Sequence, residues 1–281
     1  MEDLWILGPG ASLNHHKEDI IKLGGANVMA FQRTFPNCVH HFDLVPSHWF
    51  SADPFPWLEG FEFLHGLPES EKDAFRKMEI LIPHYAASSF ATFRMYAGTT
   101  PLGRVPGGWD RHLVLLEILQ KEGFNIRIVD CVTTKYLHTN TMFQGQDIFD
   151  TEAYVRFMSD KLLLGTVPFD SESVVGDRFK WGLENKLSSA IFPIAYLLRA
   201  KNLYIAGFDL KGPRFYSEDT RHPWNDETQT KSLHEYPLTL IKKWVKWEQL
   251  HGMRIFNVVD EGHTLLSEAL PYKPMSELLR V

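Results

Sequence analysis

The sequence predicts an α/β protein with a Rossmann-like, mostly parallel open sheet and helices on both faces of that sheet. Short apolar runs alternate with segments of helical period along most of the 281 residues, as in proteins built from strand–helix–strand units. The first apolar run ends in a Gly-x-Gly turn that leads into a helical segment, in LWILGPGASLN at residues 4–14. We expect a single domain over residues 1–281, with an irregular inserted segment, a lid, at about residues 134–184.

The predicted strands are short apolar or alternating runs bounded by glycine, proline or polar residues. In chain order they are LWILG (4–8), NVMAF (27–31), SHWFSADP (47–54), Glu79–Pro83, FNIRIVDC (124–131), LYIAGFDL (203–210) and MRIFNVV (253–259).

The predicted helices lie between these strands, at residues 12–25, 109–123, 188–202 and 232–252. In the second of them an apolar stripe runs through Leu113, Leu115, Leu116 and Leu119, and Gly123 is the expected stop. The last is amphipathic, with Leu240, Ile241, Trp244 and Trp247 on one side.

Composition favours an ordinary globular protein and argues against nucleic-acid-binding, disulfide-rich and zinc-binding classes. A hydrophobic fraction of 44% and a charged fraction of 23% are ordinary for a globular domain. The formal net charge of −6 argues against nucleic-acid partners, which need a basic face. The cysteines Cys38 and Cys131 form no CxxC pattern, which predicts neither a disulfide scaffold nor a zinc site.

No signal peptide and no membrane span are expected, because the apolar segments are too short for either. The sequence therefore favours a cytoplasmic protein. The sequence leaves the oligomeric state open, and a homo-oligomer is one of the alternatives.

The glycine turn at Gly8 and Gly10 has two interpretations. Backbone N–H groups at the start of a helix attract phosphate, so the turn could hold a nucleotide. It lacks the third small residue of the dinucleotide fingerprint, because Leu13 stands there. The alternative is a simple strand-to-helix turn in which Ser12 is the N-cap.

Two aspartates end predicted strands on the same edge of the sheet. Asp53 closes the third strand before Pro54, and Asp209 follows Gly207, which would allow close backbone approach. In open parallel sheets ligands bind outside the carboxyl ends of the strands, so both carboxylates are candidate ligand contacts. A turn or helix-capping role for Asp53 remains equally open.

Later in the chain, Ser188 and Ser189 open a helix, where they could cap it or face an anion. Tyr216 lies in a polar loop, and His234 precedes the last long helix, where a surface or capping role is the ordinary one. The chain has neither a G-x-S-x-G nor an HExxH motif, and no metal site is predicted.

The order of these motifs resembles that of the small, Campylobacter-type bacterial sialyltransferases. The segments that carry the resemblance are GPGASL, MAFQRTF, SADP, SSAIFPIAYLLRAKNLYIAGFDL, RFY and LHEYPLTLIKKWVKWEQLHGMRIFNV. Proteins similar to the archaeal hydroxymethylpterin pyrophosphokinase share the glycine turn, the Asp-Pro and the Gly-x-Asp strand.

The resemblance implies a metal-independent, cofactor-free glycosyltransferase that takes a sugar from a nucleotide-activated donor, such as a CMP-sugar, to a hydroxyl on a glycan or another acceptor. It assigns the donor nucleotide to Gly8, Gly10, Ser12, Lys186, Ser188 and Ser189. Gln32, Asp53 and Asp209, which lie at predicted strand ends, complete the predicted donor site. It further implies that the Tyr216 hydroxyl stabilises the departing phosphate and that His234 is the general base.

Three positions depart from the family pattern. Where the family has asparagines in the glycine turn, at the second strand and before the third-strand proline, this chain has Pro9, Phe31–Gln32 and Asp53. A carboxylate in place of an amide removes a donor and adds a negative charge.

Two rival functions follow from the same residues. In a pyrophosphokinase-like phosphoryl transfer with ATP and Mg²⁺, Asp53 and Asp209 would be metal ligands. In a non-catalytic module, the same sheet edge would only bind a nucleotide or glycan.

Overall fold

The computed structural model describes residues 1–51, 54–83, 111–129, 191–209, 214–216 and 252–279, together with residues 238, 241, 242, 245 and 246. Several predictions of the sequence lie outside the described residues: the inserted segment, Asp53, Lys186, Ser188, Ser189 and His234.

Within this part of the chain seven strands form one parallel sheet, which confirms the predicted fold class. The order across the sheet is β5-β4-β3-β2-β1-β6-β7. The strands are β1 (Asp3–Leu7), β2 (Val28–Phe31), β3 (His48–Phe50), β4 (Glu79–Pro83), β5 (Asn125–Val129), β6 (Asn202–Ala206) and β7 (Arg254–Asn257).

Helices lie between the strands in the sequence. The α-helices are α1 (Lys17–Lys22), α2 (Thr34–Phe42), α3 (Pro54–Gly66), α4 (Glu69–Arg76), α5 (Arg111–Lys121), α6 (Phe192–Leu197) and α7 (Met275–Leu278). Short 3₁₀ helices occupy Ala11–His16, Glu261–His263 and Leu266–Glu268.

The central strands are buried on both faces. In β1 the residues of one face are Leu4 and Ile6 and those of the other are Trp5 and Leu7, and all four side chains are buried. Parallel sheets are typically covered by helices on both faces, so the sequences of their strands are continuous apolar runs and do not alternate between apolar and polar residues. Each fully buried aliphatic side chain contributes about 1.5–3 kcal/mol to folding.

Helix α5 shows how the apolar period sets the packing. Its stripe at Leu115, Leu116 and Leu119 is buried in one core cluster with Trp57 and Phe61 of α3. The helix ends at Lys121, and Gly123 follows with a φ of +84°. The predicted helix and its glycine stop are therefore confirmed.

The third strand is shorter than predicted. It ends at Phe50, and the chain leaves the sheet because α3 begins at Pro54, whose missing N–H suits a first turn. The indole Nε1 of Trp57 donates to the Ser51 carbonyl at 2.7 Å, which ties the first turn of α3 to the residue that follows β3.

The predicted amphipathic helix at 232–252 is described at six positions, of which five are helical and the last, Gly252, is in a turn. Leu238, Ile241 and Val245 are buried, whereas Lys242 and Lys246 are exposed. This is the spacing of one apolar helix face. Of the predicted stripe, Leu240, Trp244 and Trp247 lie outside the described residues.

Among the described residues, no helix combines the length and the apolar character that crossing a membrane requires.

Candidate functional site

The candidate site lies where the strand order reverses. Strands β2 to β5 follow β1 outward on one side of the sheet, whereas β6 and β7 lie on its other side. The carboxyl ends of β1 and β6 therefore flank a topological switch point, where open α/β sheets bind their ligands. Gly8 directly follows β1 and Gly207 directly follows β6.

The turns after these two strands are joined backbone to backbone. Gly8 N donates to the Ala206 carbonyl at 2.8 Å, and Gly10 N donates to the Gly207 carbonyl at 2.6 Å. A Cβ at Gly207 would lie 2.8 Å from Leu13 Cγ, and the φ of +72° there also favours glycine. The predicted close backbone approach at Gly207 is therefore confirmed.

A buried carboxylate closes the glycine turn. Ser12 N donates to Asp209 Oδ2 at 2.9 Å, and the Ser12 hydroxyl donates to Asp209 Oδ1. Gly10, not Ser12, is the N-cap residue of the 3₁₀ helix, so the interpretation of Ser12 as the N-cap is wrong. Ser12 and Asp209 are 2% and 4% exposed, and their hydrogen bonds are therefore shielded from water.

The segment that follows β7 also forms hydrogen bonds with the backbone at and next to Asp209. Leu265 N donates to the Asp209 carbonyl at 3.0 Å, and the Thr264 hydroxyl donates to the Phe208 carbonyl at 3.2 Å. The segment that follows β7 thus fixes the end of β6. Because the carboxylate and the backbone of Asp209 are both engaged, its position at the switch point is rigid.

Residues 214–216 lie against the glycine turn. Arg214 forms an antiparallel bridge with Gly10, and Phe215 N donates to the Pro9 carbonyl at 3.0 Å. The Asn14 side chain adds a hydrogen bond to the Phe215 carbonyl at 3.3 Å. This arrangement brings Tyr216, which the sequence assigned to the site, next to the turn that follows β1.

Arg214 is a site residue that the sequence analysis missed. Its guanidinium donates to the Tyr216 hydroxyl at 3.2 Å, and both side chains are half-buried. The signal that could have identified Arg214 is its place two residues before Tyr216, because a cation so close in the sequence to a tyrosine assigned to the site can share that site.

Gln32 ends the strand next to β1 in an uncommon conformation. Its φ is +52°, and its side chain is 9% exposed. The backbone is held by two hydrogen bonds: Gln32 N donates to the Phe50 carbonyl at 2.8 Å, and Trp49 Nε1 donates to the Gln32 carbonyl at 2.9 Å. Left-handed residues other than glycine are rare and are concentrated at functional sites.

Two histidines of the 3₁₀ helix point in different directions. His15 stacks on His263 with ring centroids 4.2 Å apart, whereas His16 is directed inward. Burial lowers the pKa of His16, and the carboxylates of Asp260 and Asp19 only partly oppose that effect. The described residues contain no group of three or more His, Cys, Asp or Glu side chains that could hold a metal ion.

The structure thus brings together five of the predicted site residues around one pair of turns, and it places Gln32 at the end of the adjacent strand. The five are Gly8, Gly10, Ser12, Asp209 and Tyr216. Asp53, Lys186, Ser188, Ser189 and His234 lie outside the described residues.

Comparisons with known protein families, curated proteins and solved structures found no match. What characterises the chain is therefore its Rossmann-like parallel sheet, with a carboxylate-closed glycine turn at the switch point.

Proposed function

We propose that the protein is a metal-independent, sialyltransferase-like glycosyltransferase whose nucleotide-sugar donor binds outside the carboxyl ends of β1, β2 and β6. The observation that carries the proposal is the position of three residues relative to the sheet. The sequence assigned Gly8, Asp209 and Tyr216 to a donor site, and all three lie at or beside the switch point of the sheet. That is the place where this fold class binds nucleotides.

In this proposal Asp209 positions the site and does not contact the donor. Both of its carboxylate oxygens accept hydrogen bonds from Ser12, and its side chain is buried. The carboxylate fixes the glycine turn against the end of β6 and so shapes the floor of the crevice. Gln32, at the end of β2, borders the same crevice.

The proposed reaction is a direct displacement at the anomeric carbon. The oxygen of the acceptor hydroxyl forms a bond to that carbon while the bond from the carbon to the donor phosphate breaks. His234 takes the acceptor proton, a role suited to a group whose ordinary pKa is about 6.5. The phosphate leaves with the electron pair, and Tyr216, with Lys186, stabilises its charge.

The contacts of Asp209 argue against the phosphoryl-transfer alternative. A Mg²⁺ ligand must turn a carboxylate oxygen toward the ion. Here both oxygens of Asp209 already accept hydrogen bonds from Ser12, and the side chain is 4% exposed. An ion would have to reach the remaining lone pairs of a carboxylate buried in the turn, which favours the metal-independent reaction.

A thermal-shift screen over CMP, UDP, GDP and ATP, with and without Mg²⁺, tests the proposed donor site. A ligand that binds only the native state raises the melting temperature by mass action. We expect stabilisation by a nucleotide that persists in EDTA. Stabilisation that requires Mg²⁺ would instead favour phosphoryl transfer. Binding without transfer across a panel of nucleotide sugars would favour a non-catalytic module.

The variant His234→Ala tests the proposed base. It should abolish transfer and leave nucleotide binding largely intact, because the base acts on the acceptor. His65→Ala is the matched control, since His65 lies in the last turn of α3, which precedes β4 and not one of the strands that flank the switch point. Equal transfer by His234→Ala and His65→Ala would overturn the assignment.

A further inference from the structure

The glycine turn has few groups left for a phosphate. In Rossmann-like proteins the phosphate binds to backbone N–H groups of the first turn. In this chain Gly8 N donates to the carbonyl of the last residue of β6, and Gly10 N donates to the carbonyl of the residue that follows it. Ser12 N and the Ser12 hydroxyl donate to Asp209. The Asp209 carboxylate also adds a negative charge where that phosphate would lie.

Arg214 supplies a positive charge beside the same turn. Its backbone bridges that of Gly10, and its guanidinium donates to the Tyr216 hydroxyl at 3.2 Å. Within the described residues, the guanidinium forms no ion pair with a carboxylate. A guanidinium has five N–H donors, so the bond to Tyr216 leaves others for an anion.

The contact with Tyr216 also orients the tyrosine hydroxyl. An oxygen that accepts a hydrogen bond from Arg214 directs its own proton elsewhere, and can donate it to an oxygen of a bound anion. The pair therefore offers charged and neutral donors side by side, an arrangement that suits phosphate.

We propose that Arg214 is a further phosphate-binding cation of the donor site, in addition to Lys186, and that it acts together with the Tyr216 hydroxyl. The inference rests on the proposed function, because it names the group that recognises the donor phosphate. Phosphate recognition in this protein then depends on the side chains of Arg214 and Tyr216, and the glycine turn after β1 positions them.

The test compares nucleotides with their phosphate-free nucleosides. Calorimetry with CMP, UMP, GMP and AMP, and with cytidine, uridine, guanosine and adenosine, gives the affinity that the phosphate adds. The variants are Arg214→Gln, which removes the charge, and Arg214→Lys, which keeps the charge but not the planar fork. Arg127→Gln is the matched control, because Arg127 is exposed on β5, at the edge of the sheet.

For the nucleotide that binds wild type, Arg214→Gln should reduce the ratio of nucleotide to nucleoside affinity by about tenfold or more, with Arg214→Lys intermediate. Arg127→Gln should leave the ratio unchanged. Circular dichroism and the unfolding midpoint confirm that each variant is folded.

An unchanged ratio in folded Arg214→Gln would overturn the role of Arg214 and leave the proposed function standing. An equal loss of nucleotide and nucleoside affinity would also overturn it, because it would show a structural role. If wild type binds none of these nucleotides, the proposed function fails and the inference fails with it.

Discussion

The side chain of Asp209 accepts two hydrogen bonds from Ser12, one from its backbone amide and one from its hydroxyl. The two residues are 197 positions apart in the sequence, and each follows one of the two strands that flank the switch point. The turn after β1 therefore depends for its position on a residue from the other side of the sheet.

Removal of this carboxylate should destabilise the fold. Asp209→Ala leaves the buried amide and hydroxyl of Ser12 without an acceptor, and we expect the free energy of unfolding to fall by roughly 2–4 kcal/mol. Asp209→Asn should cost less than half as much, because an amide can accept from Ser12 N and donate to the Ser12 oxygen. Urea denaturation measures both, and equal stability of Asp209→Ala and wild type would contradict the role given to this pair.

Gly10→Ala should destabilise the protein by steric conflict alone. The backbone of Gly10 has φ −68° and ψ 149°, which alanine adopts readily. Its added methyl group, however, would overlap the Asp209 carboxylate. We expect a loss of about 1–3 kcal/mol in unfolding free energy.

Gly262→Ala is the control for that loss. A Cβ at Gly262 would meet no atom within 4 Å, and the φ there is not positive. Thermal or urea denaturation should show this variant within about 0.5 kcal/mol of wild type, or slightly more stable. Equal losses in Gly10→Ala and Gly262→Ala would exclude the steric explanation.

Stability should fall on mild acidification. Burial lowers the pKa of His16 and of His48 below the ordinary value of 6.5, and in each case a nearby carboxylate only partly opposes the effect. The unfolded chain then binds protons at a higher pH than the native state does. The contribution of each histidine is present above pH 6.5 and is lost as pH falls through that value toward the lowered native pKa.

Unfolding free energies measured from about pH 7 to about pH 5 check this dependence. His16→Gln and His48→Gln should each flatten the decline, and the double variant should flatten it additively, because the two sites are independent. A decline that keeps its slope in the double variant would show that other groups cause it.

Cys38 should be unreactive in the native protein. Its side chain is buried in α2, and burial raises the pKa of the thiol above its ordinary value. In a Cys131→Ser background, we expect Ellman's reagent to modify Cys38 only after denaturant is added. Rapid modification of the native protein would show that α2 opens readily. Cys38→Ala in the same Cys131→Ser background has no thiol and gives the background signal.

The sequence predicted the sheet well because its strands are short apolar runs bounded by glycine, proline or polar residues. β2, β3, β4, β5 and β7 lie within predicted strands, β1 and β6 each begin one residue earlier than predicted, and the glycine stop after α5 is correct. Helices α2 and α3 were missed, since Pro36 and Pro56 suggest breaks in the helical pattern. Both prolines lie in the first turn of their helices, where the absent N–H breaks no hydrogen bond.

The sequence predicted at which edge of the sheet the candidate site lies, but not which side chains are in contact there. The strand-end rule located Gly8 and Asp209 at the same edge of the sheet. The hydrogen bonds between Asp209 and Ser12 depend on the register of β1 against β6, which no local pattern encodes. For the same reason the sequence left a local cap by Ser12 open, and it could not show that Arg214 lies beside Gly10.

The strand order also determines how long one edge of β1 stays unpaired during synthesis. β1 pairs with β2 soon after both leave the ribosome, but its other edge pairs with β6, which begins 195 residues after Leu7 (202 − 7). At about 5–20 residues per second, the ribosome needs roughly 10–40 s to make that stretch. During that interval the apolar edge of β1 has no neighbour, and an open strand edge invites pairing with other chains. A strand that lies inside the finished sheet is thus an exposed edge of the nascent one, and an exposed strand edge is a surface that chaperones protect.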